Sequence, residues 1–154
     1  MKPTPIKRNE HLKPISREHH QGLLLCWKIR TGLSLNIPIK RIKKYTDWFY
    51  QEHLLPHFEL EEKHLFPILD EQHEMVTKAK AEHRRLKRLF EAKDELEKKI
   101  SLIEEELESH IRFEERVLFN EIQSVATAEQ LQHIDKVHQE EKFVENLSDP
   151  FWKK

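Results

Sequence analysis

Apolar residues recur along most of the chain with the spacing of α-helices. Between residues 39 and 68, leucine, isoleucine and aromatic side chains fall on one face when plotted at about 3.6 residues per turn. No segment alternates apolar and polar residues between turn signals, as a half-buried β-strand would. The pattern therefore predicts an all-α protein.

Helix start and stop signals divide this pattern into five predicted helices. Ser16 and Gly32 would bound the first helix, and Asn36 followed by Pro38 would open the second. Pro56 lies within the second helix and predicts a kink there, because proline lacks the backbone donor and crowds the preceding turn. The predicted helices cover about residues 16–31, 38–69, 72–91, 95–123 and 128–147.

Two later helix starts have the signature of a capping box. Asp94 is followed by Glu97, and Thr127 by Gln130. In such a box the first side chain accepts from a backbone N–H of the first turn, and the second returns the bond. We expect the fourth and fifth helices to begin in this way.

Short connections between the long helices imply that consecutive helices are antiparallel. The prediction is one domain over residues 1–154, built as an up-down-up-down four-helix bundle with a core of about residues 11–123. The additional short C-terminal helix, at about 128–147, would pack outside the bundle or at one end. The tail "DPFWKK" is expected to dock through Phe151 and Trp152.

Composition excludes several classes of protein. The chain has 27 basic and 28 acidic residues, so its net charge of −1 gives no reason to expect nucleic acid or an anionic membrane as partner. No run of about 18 apolar residues could span a bilayer, and no apolar segment follows the basic start as in a secretory signal. The single cysteine, Cys26, excludes an internal disulfide and favours the reducing cytoplasm.

Histidine is unusually frequent, with 11 residues, and two histidine-containing stretches echo each other. They read "HFELEEKHLF" from His57 and "HIRFEERVLF" from His110, so both follow H-x-x-x-E-E-x-x-L-F. Helical phase places Glu61 about 40° from His57, inside the apolar stripe, and places Glu114 in the same way beside His110. The stripes also include His64 and Val117, whereas Glu59 and Glu62 are expected to face solvent as ordinary surface acids.

A buried carboxylate needs a compensating partner, and a metal cation is one that also uses the imidazole nitrogens. A histidine and a glutamate at positions i and i+4 lie on one helix face and can converge on one metal or on a bridged pair. A buried His–Glu hydrogen bond is the alternative for a single pair. Two matched pairs, His57 with Glu61 and His110 with Glu114, favour the metal.

The two helices without such a pair carry single histidines on their apolar faces. His83 is central to the stripe of the third helix, and His19 to that of the first. His20 lies about 100° further round, so His19 is preferred as the inward residue but His20 stays open. Each of the four helices would then contribute to one central site, while His53 and His64 have no assigned role.

This arrangement resembles the hemerythrin-like (HHE) cation-binding domains, a likeness carried by "SREHHQGL" and by both echoed stretches over about residues 11–123. The resemblance implies non-haem iron, usually two Fe bridged by carboxylates, although mixed imidazole and carboxylate ligands also suit other divalent metals. It implies terminal ligands His57 and His110 and bridging ligands Glu61 and Glu114. It would complete the set with His83 and with one of His19 or His20.

The chain departs from the oxygen-carrying hemerythrins at one point. Those proteins place a second histidine one turn from the third-helix ligand, whereas Ala79 and Lys87 stand at these positions here. The sequence therefore favours a metal-binding protein that binds, senses or detoxifies O₂, NO or iron, with no catalytic residue predicted. A di-iron oxidase or peroxidase acting on a defined substrate and a metal-free helical interaction module are the alternatives.

Overall fold

The computed structural model describes residues 7–138 and 142–153, and all regular secondary structure in these residues is helical, which confirms the predicted all-α class. None of the described helices is both long and apolar enough to pass through a bilayer. The seven α-helices are α1 (Lys13–Ser34), α2 (Ile39–Phe49), α3 (Leu55–Leu60), α4 (Glu74–Phe90), α5 (Leu96–Phe113), α6 (Phe119–Val125) and α7 (Ala128–Val137).

Three π-helical turns interrupt the two longest predicted helices. The first, Tyr50–Leu54, joins α2 to α3, and the second, Glu61–Leu65, joins α3 to a short 3₁₀ helix, Phe66–Ile68. The third, Glu114–Leu118, joins α5 to α6. Residues 39–68 and 96–125 are therefore continuous helical segments whose hydrogen-bond register changes along the way.

The first π-helical turn lies directly before Pro56, where the sequence predicts a kink. The backbone N–H of Leu55 bonds to the carbonyl of Tyr50, five residues earlier. Pro56 has no N–H, so the usual i−4 bond cannot form at the next position. The proline and the change of register therefore occur together.

The predicted capping boxes have opposite outcomes. Thr127 accepts from the backbone of Gln130, whose side chain bonds back to Thr127, so the prediction for α7 is confirmed. The box at Asp94 is wrong. Glu95 occupies the cap of α5 with a left-handed backbone (φ 48°) and makes no side-chain capping bond.

Three helix ends also differ from the prediction. No capping side chain marks the start of α1, which begins before Ser16 with Leu12 in the cap position and a proline in the first turn. It then continues past Gly32 to Ser34. α7 ends at Val137 rather than near residue 147, and residues 139–141 of that predicted helix lie outside the described residues.

The hydrophobic core consists of two clusters separated along the chain by polar residues. On α1, Ile15 belongs to one cluster and Leu25 to the other, and His19 lies between them in sequence. On α4, Ala79 and Leu86 flank His83 in the same way. The helical segments thus carry buried polar residues at a level with apolar packing on both sides.

The C-terminal segment docks on the bundle as predicted for Phe151 and Trp152. The Phe151 ring is buried against α1 at Gly32, while Trp152 packs on the core cluster from a half-buried position. Lys28, which is buried, donates hydrogen bonds to Tyr45 (2.8 Å) and to Glu145 of this segment (2.5 Å). The segment is held by apolar contact and by a buried cation.

We expect Gly32→Ala to destabilise the protein, although alanine usually favours a helix over glycine. A Cβ at residue 32 would lie 2.7 Å from the Phe151 ring and 2.9 Å from Ile42, so the docked tail must move. The expected loss is about 1–3 kcal/mol in the free energy of unfolding, measured by urea titration. Ser34→Ala, at an exposed position of the same helix, is the control; equal midpoints for both variants would contradict the packing.

Candidate metal centre

Six buried ionisable residues meet at the polar level of the bundle. Each is at most 6% exposed, and they come from α1, from the segment 57–61, from α4 and from the segment 110–114. They are His19, His57, Glu61, His83, His110 and Glu114. The structure thus brings together all the predicted site residues except His20, which is exposed.

The echoed sequence stretches have the same local structure. In each, the histidine lies in the last turn of an α-helix, and the glutamate four residues later begins a π-helical turn. The Nε2 atom of His57 lies 3.2 Å from Glu61, and that of His110 lies 3.3 Å from Glu114. One sequence pattern therefore builds the same half-site twice.

The two carboxylates lie between two pairs of histidines. Glu61 Oε2 is 3.6 Å from His19 Nε2, and its Oε1 is 3.2 Å from His83 Nε2. Glu114 Oε1 is 2.9 Å from His19 Nε2, and its Oε2 is 3.6 Å from His83 Nε2. Each carboxylate therefore faces a histidine on both sides.

These contacts form two groups that could each hold a metal ion. Within each group the potential ligand atoms lie within 4.8 Å of one another. One group is His19, His57, Glu61 and Glu114, and the other is Glu61, His83, His110 and Glu114. Both groups contain the same two carboxylates, Glu61 and Glu114.

Each central histidine is oriented by a second glutamate that is only partly buried. The Nδ1–H of each ring donates to a carboxylate of the neighbouring helical segment. The pairs are His57 with Glu18 (2.7 Å), His83 with Glu62 (2.7 Å), His110 with Glu82 (2.7 Å) and His19 with Glu115 (3.0 Å). Since Nδ1 carries the proton, Nε2 is left to face the centre.

These four outer glutamates link the segments in a closed ring. Glu18 of α1 accepts a hydrogen bond from His57. Glu62, in the same segment as His57, accepts one from His83 of α4, and Glu82 of α4 accepts one from His110. Glu115 then returns to His19 on α1. Every one of the four bonds therefore joins two different helical segments.

The sequence pattern does not predict this ring, and the expectation that Glu62 is an ordinary surface acid is wrong. Glu62 is an acceptor for His83, not an ordinary surface acid. The available signal was adjacency, since each outer glutamate is the chain neighbour of a central residue. The neighbours are Glu18 of His19, Glu62 of Glu61, Glu82 of His83 and Glu115 of Glu114.

The donor set fits a cation because several of its atoms lack any other partner. His57 Nε2, both oxygens of Glu61 and Oε2 of Glu114 are buried without a hydrogen bond. The Nε2 atoms of His83 and His110 face each other at 3.1 Å, although both rings already use Nδ1 as the donor. Leaving buried polar groups unpaired costs free energy, and bound cations would satisfy all these atoms together.

Without a metal, protons on the histidines compensate part of the buried negative charge. Burial alone would lower the pKa of His57, but the negative charge of Glu61, 3.2 Å from Nε2, and the hydrogen bond to Glu18 raise it to about 9. Burial and the charge of Glu114 would raise the pKa of Glu61, but His57 and His19 lower it to about 2. The pKa values of His19 and His83 are raised for the same reason as that of His57: buried carboxylates outweigh desolvation.

The other histidines considered in the sequence lie outside both groups. His53 packs among aromatic rings, with its centroid 4.8 Å from that of Phe143. His64 faces His133, at 5.4 Å between ring centroids, and is half-buried rather than part of the core. Among the described residues, no fifth histidine joins the central cluster.

A cavity of about 670 Å³ opens against one side of the cluster. His19, His57, His110 and Glu114 contribute to its wall, together with apolar residues of α1, α3 and α5. His83 and Glu61 do not line it, so the cavity reaches the cluster from the side of His19 and His57. The cluster is therefore accessible to a ligand from one direction.

We expect the metal-free protein to be most stable between about pH 4.5 and pH 6.5. The folded-state pKa of His57 is raised from 6.5 to about 9, so its contribution is complete below pH 6.5 and is lost as pH rises through about 9. The folded-state pKa of Glu61 is lowered from 4.5 to about 2, so its contribution is lost as pH falls toward 2. Urea unfolding of chelator-treated protein across this range measures both limbs.

The variant His57→Gln is the control for the alkaline limb, which should become shallower because one of the raised pKa values is removed. A free energy of unfolding that rises from pH 6.5 to pH 9 in the metal-free protein would contradict this account, since the raised pKa of His57 requires a loss over that range.

Comparison with known proteins identifies the family of the chain. The family model of the hemerythrin HHE cation-binding domain matches residues 11–101, a range that contains His19, His57, Glu61 and His83. Neither the curated proteins nor the solved structures contain a significant match. The matched range is more than half of the 154 residues and carries one of the two echoed half-sites, and the chain belongs to the hemerythrin HHE cation-binding family.

Proposed function

We propose that the protein holds a pair of non-haem iron ions bridged by Glu61 and Glu114, and that it uses them to bind, sense or detoxify O₂ or NO, or to sense iron. The carrying observation is that the two candidate ligand groups share both carboxylates. His19 and His57 would be the terminal ligands on one side. His83 and His110 would be those on the other.

The number of protein ligands supports exchangeable positions on the metal. Each group offers two histidines and two shared carboxylates. Iron in mixed imidazole and carboxylate sites supplies redox chemistry and keeps positions open for small exogenous ligands. Ala79, which is buried, and Lys87 stand where the oxygen carriers of the family have a further histidine, so we propose a role other than reversible O₂ carriage.

The residues of this chain would prepare the site before any ligand arrives. The outer glutamates hold each imidazole in the tautomer that presents Nε2 to the centre, and they make the rings more basic. Apolar clusters border the centre on both sides along the helices. The cavity beside His19 and His57 would be the entry path for O₂ or NO.

We also propose that the long segments form an up-down-up-down four-helix bundle within one domain. In chain order the segments are α1, residues 39–68, α4 and residues 96–125. α5 contacts both α1 and α4, and the ring of Glu–His bonds joins consecutive segments before closing between the last and the first. This cyclic order is what short antiparallel connections produce.

A second candidate function is a di-iron oxidase or peroxidase with an organic substrate. The observation that favours it is the cavity, which at about 670 Å³ is much larger than O₂ or NO requires. A metal-free interaction module is disfavoured, because it would leave four buried polar atoms of His57, Glu61 and Glu114 without partners.

Glu61→Ala is expected to abolish binding of the iron pair, because it removes a ligand that both groups share. Elemental analysis of the unmodified protein should give about two irons per chain. Its absorption spectrum should show oxo-to-iron charge-transfer bands that the variant lacks. Glu59→Ala, an exposed glutamate on the same helix, is the matched control and should keep both signals. Unmodified protein without metal, even after anaerobic loading with Fe(II), would overturn the proposal.

His19→Ala and His20→Ala form a matched pair on adjacent residues. Only His19 belongs to a candidate ligand group, and only His20 is exposed. We expect His19→Ala to lower metal affinity at least tenfold in a competition titration with a chelator and His20→Ala to leave it within twofold. The opposite order of affinities would assign the ligand to His20.

A further inference from the structure

The cavity beside the cluster has the size of an organic ligand site. Its volume of about 670 Å³ lies within the range of roughly 300–1,000 Å³ that is usual for sites holding drug-sized molecules. One water molecule accounts for only about 30 Å³ of liquid, and O₂ or NO is of similar size. An entry path for a diatomic gas does not need this space.

Part of the cavity wall is apolar and partly aromatic. Phe49, Leu54 and Phe58 approach from one segment, and Leu107 and Ile111 from α5. All five side chains are at most 6% exposed and belong to one core cluster. Burying an apolar body against such a surface is favourable, and aromatic rings add preferred edge and stacking contacts.

The same wall presents a buried polar atom without a partner. His57 lines the cavity, is more than nine-tenths buried and has no hydrogen bond at Nε2. Glu114 lines it too, with Oε2 unpartnered. A molecule in the cavity therefore has its apolar body beside the atoms that would hold the metal pair.

Charges at the mouth do not select for a strongly charged ligand. Arg17 and Lys142 contribute positive charge, and Glu18 and Glu52 contribute negative charge. Side chains of both signs stand around the same opening, so neither an anion nor a cation is favoured overall. The combination of an apolar wall with a mixed polar mouth suits a neutral molecule that has one polar end.

We propose that this cavity binds a neutral aromatic molecule with a single polar group, whose ring packs between Phe49, Phe58 and Leu107 next to the metal pair. The proposal rests on the proposed function for the position of the metals, but the cavity itself is formed by the protein alone. It gives the oxidase or peroxidase alternative a defined class of substrate.

The probe for the test is 4-fluorophenol, a neutral aromatic compound followed by ¹⁹F NMR. Metal-free full-length protein should broaden and shift its resonance in a saturable way. Gln21→Trp, which places a bulky ring at the half-buried mouth of the cavity, should weaken the affinity at least tenfold. Thr31→Trp, at a half-buried position of α1 away from the cavity, is the matched control and should stay within twofold.

Metal loading then tests the position of the ring. Protein loaded with paramagnetic Mn(II) should broaden the bound ¹⁹F signal more than protein loaded with diamagnetic Zn(II), and Gln21→Trp should remove the difference. No saturable binding, or equal weakening by both tryptophan variants, would overturn the inference. Probe binding in a protein that takes up no metal would support the aromatic site and overturn the proposed metal centre alone.

Discussion

Two carboxylates without access to solvent, Glu61 and Glu114, are the constraint that organises this protein. Each raises the cost of ionising the other, and burial adds to that cost. Their charge is compensated by histidines from every long helical segment, and those histidines are in turn held by outer glutamates. Apolar clusters close the level above and below. The fold can thus be described as the set of contacts that makes these two buried charges tolerable.

The π-helical turns explain where the helical phase in the sequence stops being a reliable guide. A 3.6-residue period places His64 and Val117, three residues after the central glutamates, on the buried stripe. Each lies within a π-helical turn that begins at the glutamate, and the extra residue in that turn rotates the later side chains about the helix axis. Val117 is 40% exposed as a result, and His64 faces His133 instead of the centre.

The inner part of the site could be predicted from the sequence, whereas for the outer part the sequence contains only the weak signal of adjacency to a central residue. His57, Glu61 and their echo reveal themselves because ionisable residues on an apolar stripe are rare, and periodicity detects this within one helix. Glu82 is next to His83 in the chain and Glu115 is next to Glu114, so each is turned by about 100° around the helix from its inward neighbour and resembles a surface acid. Their partners are on other helices, so only the packing of segments against one another shows their role.

The helix ends show the same division between local and tertiary information. Thr127 caps α7 through bonds within four residues, which the sequence contains in full. The predicted cap at Asp94 fails because Glu95, with a left-handed backbone, occupies the cap position of α5 instead. Helical phase already favours His19 over His20 as the inward residue, and the structure adds the contact of His19 with Glu115 across the bundle.

The ring of outer glutamates has an electrical consequence beyond holding imidazoles in place. With Glu61 and Glu114 it surrounds the centre with six carboxylates, four outer and two inner. Neutral imidazoles add no charge, while Arg8 at Glu115 and Lys78 at Glu82 offset two of the six negative charges. Two divalent cations would therefore balance the charge of this shell. The residues that orient the ligands thus also set how much positive charge the centre can take up.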